Sequence, residues 1–168
     1  LPEATVARLR GAARAIRDGA LAEAARLLAQ AQADAPAHAE PLRLLAILHG
    51  RQGRQDAARA VLEHALGLHP GDALLHNDLG NVRMALGDRD GAFASWRRAC
   101  ELAPGQPMPW FNLGRNLQLQ GESEAAVAAL EEAARRAPDL LPASILLSDA
   151  LVHLGRFDEA AERYRAVL

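Results

Sequence analysis

Lysine is absent from this 168-residue sequence, so all 19 basic side chains are arginine. The 21 acidic residues bring the formal net charge to −2, which gives no overall electrostatic basis for binding nucleic acid or an anionic membrane. The abundance of Arg, Ala and Leu is typical of a GC-rich genome, and we expect a bacterial source.

Cysteine and aromatic residues are also scarce. A single cysteine, Cys100, excludes an intramolecular disulfide framework and a Cys-based metal cluster. Aromatic residues make up 4% of the chain while apolar residues make up 50%, and the many alanines suit closely packed helices. No apolar run approaches the roughly 20 residues that span a bilayer, and the sequence has no charged-then-apolar signal segment. We therefore expect no membrane association and a cytoplasmic location, with the periplasm left open.

Catalytic motifs are missing as well. There is no HExxH metal motif, GxSxG elbow, phosphate-binding loop or dinucleotide fingerprint. Cys100 has no partner histidine, and we predict a buried thiol. We expect Trp96 and Trp110 to pack in the core. The sequence thus predicts no enzyme activity, no catalytic residues, no cofactor and no metal.

What the sequence does contain is a period of 34 residues. Residues 73–106 have apolar or small side chains at i, i+3, i+4 and i+7, which predicts two helices, separated at Gly87 and ended by Pro104. The same breakers and small residues recur at this spacing as Gly19, Gly53, Gly87, Gly121 and Gly155, as Pro36, Pro70, Pro104 and Pro138, and as Ala24, Ala58, Ala92, Ala126 and Ala160. A repeat array of this period predicts a solenoid.

The repeat resembles the tetratricopeptide repeat (TPR), most closely in residues 107–140 with Trp110-Phe111-Asn112-Leu113-Gly114, Ala126 and Pro138. The resemblance covers Thr5 to Leu168. It implies an all-α fold, a right-handed α-solenoid of TPR helix–turn–helix hairpins in a single domain. The five repeats would cover approximately residues 5–38, 39–72, 73–106, 107–140 and 141–168, the last truncated.

The two ends of the sequence carry expectations of their own. We expect Thr5 to cap a first helix near residues 5–18. Because the sequence lacks an initiating Met and stops before a fifth Pro, we expect a piece of a longer protein. Four arginines crowd the first helix: Arg8, Arg10, Arg14 and Arg17. They form either the solvated outer face of a terminal repeat or a strip that binds phosphate or acidic groups.

The resemblance also implies a concave groove, lined by the first helix of each hairpin, in which extended peptides bind. We expect the solvent side of these helices to present Arg43, Ile47, Arg51, Asn77, Asn81, Met84, Phe111, Asn112, Arg115 and Asp149. Asn can donate to and accept from a peptide backbone, Arg can bond a carboxylate with two parallel hydrogen bonds, and Met, Phe and Ile offer apolar contact.

Three functions follow as hypotheses. The first is a non-catalytic scaffold that binds an extended segment of a protein or peptide partner in the groove. The second, by family analogy alone, is the substrate-recruiting arm of a larger enzyme of glycosyltransferase, sulfotransferase or hydroxylase type. The third is a self-assembly module, a homo-oligomer formed through Tyr164 and Leu168 of the C-terminal repeat.

Overall fold

The computed structural model describes the backbone of residues 1–167 and the side chains of residues 1–165. Within that range the chain forms ten α-helices and no strand. The helices are α1 (Glu3–Arg17), α2 (Leu21–Asp34), α3 (Ala39–Arg51), α4 (Gln55–Leu68), α5 (Ala73–Ala85), α6 (Arg89–Leu102), α7 (Pro107–Leu119), α8 (Ser123–Arg136), α9 (Leu141–His153) and α10 (Phe157–Val167). The prediction of an all-α chain built from helical hairpins, as in a TPR solenoid, is confirmed.

The chain separates into two compact units, one from Leu1 to Ser95 and the other beginning at Trp96. In the first unit α1 pairs with α2 and α3 with α4, while α2 packs on α3 and α4 on α5. Helices α1, α3 and α5 also contact one another in turn. The first helices of these hairpins therefore form one layer of the unit, and α2 and α4 form the other.

The second unit repeats this arrangement by itself. Helix α7 pairs with α8, and α9 with α10, while α8 packs on α9 and α7 also contacts α9. Close approach of α7 and α8 depends on Gly114, because a Cβ atom there would lie 2.7 Å from Cγ of Leu130. Trp96 is fully buried, as predicted.

One turn, repeated five times, ends the first helix of every hairpin. After α3 the N–H of Gly53 donates to the carbonyl of Gly50, and the N–H of Arg54 donates to the carbonyl of His49 at 2.9 Å. This is the Schellman arrangement, and Gly53 has the positive φ of 75° that it requires. The 34-residue spacing of glycine therefore reports a repeated backbone conformation.

The predicted cap at Thr5 is wrong. Helix α1 begins at Glu3, with Pro2 at the N-cap position. Thr5 is fully buried, and its hydroxyl donates to Oδ2 of Asp34 at 2.8 Å. Arg8 bonds the same carboxylate. Because a buried hydroxyl needs a hydrogen-bond partner, Thr5 joins α1 to the end of α2 instead of capping its own helix.

Candidate interaction surface on the first helices

The layer of α1, α3 and α5 carries a network of charged side chains centred on Arg43. Its guanidinium donates to both carboxylate oxygens of Glu40 at 2.9 Å and to Oδ2 of Asp78 at 3.2 Å. Asn77 donates to the other oxygen of Asp78 at 3.1 Å. Residues from neighbouring hairpins are thus tied together on one face of the first unit.

The ionisation of this network follows from its burial. The hydrogen bonds to Glu40 raise the pKa of the Arg43 guanidinium against the opposing effect of burial, and the charge of Asp78 adds to them. Burial raises the pKa of Asp78, although the charge and hydrogen bond of Arg43 oppose that shift. Asp78 therefore bears a desolvation cost that its partner offsets only in part.

Beside the network lies a cleft of about 260 Å³ between α3 and α5, which we call the α3–α5 cleft. Its apolar walls are formed by Ala46, Ile47, Leu62, Val82 and Ala85. Arg51, Asp78 and Asn81 supply polar groups to the same cleft. Three of the predicted groove residues, Ile47, Arg51 and Asn81, are therefore brought together here.

Arg51 reaches from α3 to the end of α1. Its guanidinium donates to the carbonyl of Ile16 at 3.4 Å, which is one of the last carbonyls of α1. Arg17 follows directly and occupies in α1 the position that Arg51 occupies in α3, since 34 residues separate them. Among the residues that the structure describes, neither guanidinium has a carboxylate within ion-pair distance, and both side chains are exposed.

The second unit places its predicted residues differently. The guanidinium of Arg115 lies 5.7 Å from the ring centre of Phe111, in cation–π contact along α7. Asp149 on α9 accepts a hydrogen bond from the hydroxyl of Tyr164, which raises the pKa of that phenol. Both pairs leave polar groups on the faces of first helices.

Two predicted groove residues are not on the solvent side. The side chains of Asn77 and Asn112 belong to residues only 7% and 5% exposed, so they contribute to packing more than to an open surface. The backbone carbonyl of Asn112 accepts a hydrogen bond from Asn116 at 2.8 Å, within α7. Arg43, Ile47 and Met84 are half-buried. Asn81, Arg51 and Arg115 are exposed.

The sequence prediction missed Val82 and Ala85 as part of the site. Ala85 lies 34 residues after Arg51, so the repeat itself carried the signal for its position. Its small, uncharged side chain gave no chemical reason to select it. What it provides is space, because the α3–α5 cleft opens beside it.

A second cleft, of about 410 Å³, lies beside Trp110 in the second unit. Trp110 is half-buried instead of fully packed, with its indole N–H donating to the carbonyl of Pro104 at 3.1 Å. Arg136 stacks 5.2 Å from the ring centre. Cys100 borders this cleft as a buried thiol, as predicted, and burial raises its pKa to about 12, so it is protonated at neutral pH.

Comparison with known proteins assigns the family. A tetratricopeptide repeat model matches residues 43–107, and a second tetratricopeptide repeat model matches residues 117–168. The chain belongs to the TPR family. TPR proteins are generally non-catalytic scaffolds for protein–protein interaction, and this chain has that fold. No curated protein matches the sequence.

Solved structures show the same TPR architecture at low sequence identity. PilF of Pseudomonas aeruginosa superposes with a TM-score of 0.87 at 18% identity, over 98% of this chain and 75% of that one. The thermophilic TPR protein TTC0263 of Thermus thermophilus gives 0.80 at 24% identity, over 90% and 83% of the two chains. MamA of Desulfovibrio magneticus RS-1 gives 0.73 at 20% identity, over 99% and 94%. At these identities the likeness establishes the fold alone.

In the described part of this TPR chain, none of the helices is long and apolar enough to cross a bilayer.

Proposed function

We propose that this chain is a non-catalytic scaffold that binds an extended segment of a partner protein across the first-helix layer. In the first unit that surface is the face of α1, α3 and α5. One observation carries the proposal: the α3–α5 cleft, with its apolar walls, opens beside polar side chains on the same face. An extended segment needs this combination, because its side chains require apolar pockets and its backbone requires hydrogen-bonding partners.

The fold makes this surface distinct from the other layer. Helices α2 and α4 each pack between successive first helices and expose mostly charged or small side chains. Several of their arginines are held by acidic neighbours one turn away, as Arg26 is by Glu23 and Arg59 by Asp56. These short-range pairs satisfy each other and favour a solvated outer face.

A capture experiment tests the proposal. The wild-type chain and the variant Arg51→Ala/Asn81→Ala are used to capture proteins from a lysate of the source organism, and both eluates are compared by mass spectrometry. We expect a partner that the wild type retains and the variant loses. The matched control, Gln30→Ala/Arg54→Ala, removes an amide and a guanidinium from exposed positions outside the face and should retain that partner. A partner retained by both variants would place the binding surface elsewhere.

Self-association is a second candidate, favoured by exposed aromatic side chains on the last helix. Phe157 is 65% exposed and Tyr164 37%. Leu168, the other residue predicted for this contact, lies outside the described residues. Sedimentation velocity at several concentrations should show a reversible dimer that Phe157→Glu abolishes. A dimer that survives both Phe157→Glu and Tyr164→Glu would exclude this helix as its contact.

The substrate-recruiting arm of a larger enzyme stays a prediction from family analogy. It would use the same first-helix face, so the capture experiment applies to it equally.

A further inference from the structure

We infer that the α3–α5 cleft, together with Arg17 and Arg51, is a subsite for a partner segment that carries an aliphatic side chain next to an acidic one. The inference rests on the proposed function, because it names the chemistry of the segment that the first-helix face would hold. Three features of the first unit support it: the size of the cleft, the apolar character of its walls, and the charges at its edge.

The cleft has the size and lining for one aliphatic side chain. Its volume of about 260 Å³ lies below the range of roughly 300–1,000 Å³ that is usual for sites that enclose a small molecule. Ile47, Leu62 and Val82 provide branched apolar walls, and Ala46 and Ala85 leave the space between them. Transfer of a Leu or Ile side chain from water into such a space favours binding on the order of 10- to 100-fold.

The charges beside the cleft favour an acidic group. The acidic residues of this face are already engaged, since Glu40 and Asp78 both accept hydrogen bonds from Arg43. Arg51 borders the cleft without a carboxylate partner among the described residues. Arg17 stands at the equivalent position of the neighbouring first helix, next to the carbonyl that Arg51 contacts. Two guanidiniums so placed can bond a carboxylate from an incoming segment.

A carboxylate fits this place better than a phosphate does. Arg17 and Arg51 are the last residues of α1 and α3. The C-terminal end of a helix carries partial negative charge, which disfavours a dianionic group more than a singly charged one. The same argument distinguishes this subsite from the anion sites at helix N-termini, where backbone N–H groups face the ligand.

Peptide-library binding tests the inference. The probe is an immobilised positional-scanning library of octapeptides, acetylated and amidated so that no terminal carboxylate is present, with phosphoserine included among the residues. The full chain should enrich Leu, Ile or Met at one position and Asp or Glu within two residues of it. Ala85→Phe, which fills the cleft from an exposed helical position, should lose the aliphatic preference. Arg17→Gln/Arg51→Gln should lose the acidic preference and bind about tenfold more weakly.

Matched controls separate these effects from damage to the fold. Ala60→Phe adds the same ring at an exposed position of α4, and Arg54→Gln/Arg89→Gln removes two exposed guanidiniums elsewhere. Both controls should keep both preferences, and urea denaturation should show that every variant folds.

Enrichment of basic, aromatic or phosphoserine residues, or preferences unchanged in Ala85→Phe and in Arg17→Gln/Arg51→Gln, would overturn the inference. If such peptides are still lost from Arg51→Ala/Asn81→Ala, the proposed function stands without it. If no peptide is enriched, or no first-helix variant alters enrichment, the proposed function fails as well.

Discussion

At the scale of single residues, Gly114 gives the sharpest test of the helix packing. A side chain there would meet Cγ of Leu130 at 2.7 Å and its backbone nitrogen at 3.1 Å. Gly114→Leu should therefore overpack the α7–α8 hairpin and lower the free energy of unfolding by about 1–3 kcal/mol. Gly67→Leu, at an exposed helical position with no atom within 4 Å of the added Cβ, should not. Urea denaturation compares the two, and equal stabilities would contradict the packing described here.

Arg43 tests whether the network on the first-helix layer contributes to stability. Arg43→Met keeps much of the aliphatic stem but leaves the largely buried carboxylate of Asp78 without its main partner. We expect the free energy of unfolding to fall by about 1–3 kcal/mol, because a buried acceptor loses its hydrogen bond. Arg26→Met, which breaks a fully exposed pair with Glu23, should leave thermal denaturation unchanged. A wild-type melting curve for Arg43→Met would show that the network is dispensable.

Asp78 gives the same network a pH dependence. Its pKa in the folded chain is raised above the ordinary value of 3.8, chiefly by burial. The folded state therefore holds the proton more tightly than the unfolded chain, so protonation stabilises the fold as pH falls through the folded pKa toward 3.8. Relative to Asp78→Asn, the wild type should gain free energy of unfolding as pH is lowered from neutral toward this window. Urea titrations at each pH measure that difference, and a relative gain as pH rises would contradict the assignment.

At the scale of elements, the repeated turn explains why glycine recurs every 34 residues. Gly53 has φ of 75°, where an L side chain costs about 1–2 kcal/mol. Gly53→Ala should therefore destabilise the chain by that amount although nothing lies within 4 Å of the added Cβ. Gly67→Ala, inside α4, should instead stabilise it by up to about 1 kcal/mol. Differential scanning calorimetry can order the two variants, and a stabilising Gly53→Ala would contradict the turn.

The helices could be predicted from the sequence because their signals are local. Glycine, proline and the apolar period each act within a few residues, and together they located the ten helices. The start of α1 was harder to predict, because Thr5 is a good capping residue by local criteria. Its hydroxyl instead bonds Asp34, which is 29 residues away, and no local pattern reports such a contact.

At the scale of the whole molecule, the family and its general role as an interaction scaffold were predictable, while the chemistry of the surface was only partly so. The repeat register correctly identified the helices that carry Ile47, Arg51 and Asn81, which the α3–α5 cleft brings together. Register alone could not show that Asn77 and Asn112 are buried, because burial depends on neighbouring helices. The space beside Ala85 likewise arises only when α3 and α5 pack.

Site-specific photo-cross-linking tests the central claim, that the first-helix layer binds the partner, most directly. A benzophenone amino acid replaces exposed Asn81 on α5 in one version of the chain and exposed Ala60 on α4 in another. After illumination with a captured partner, we predict a cross-link from position 81 to one short segment of that partner and none from position 60. A cross-link from position 60 alone would place the partner on the second helices and contradict the account.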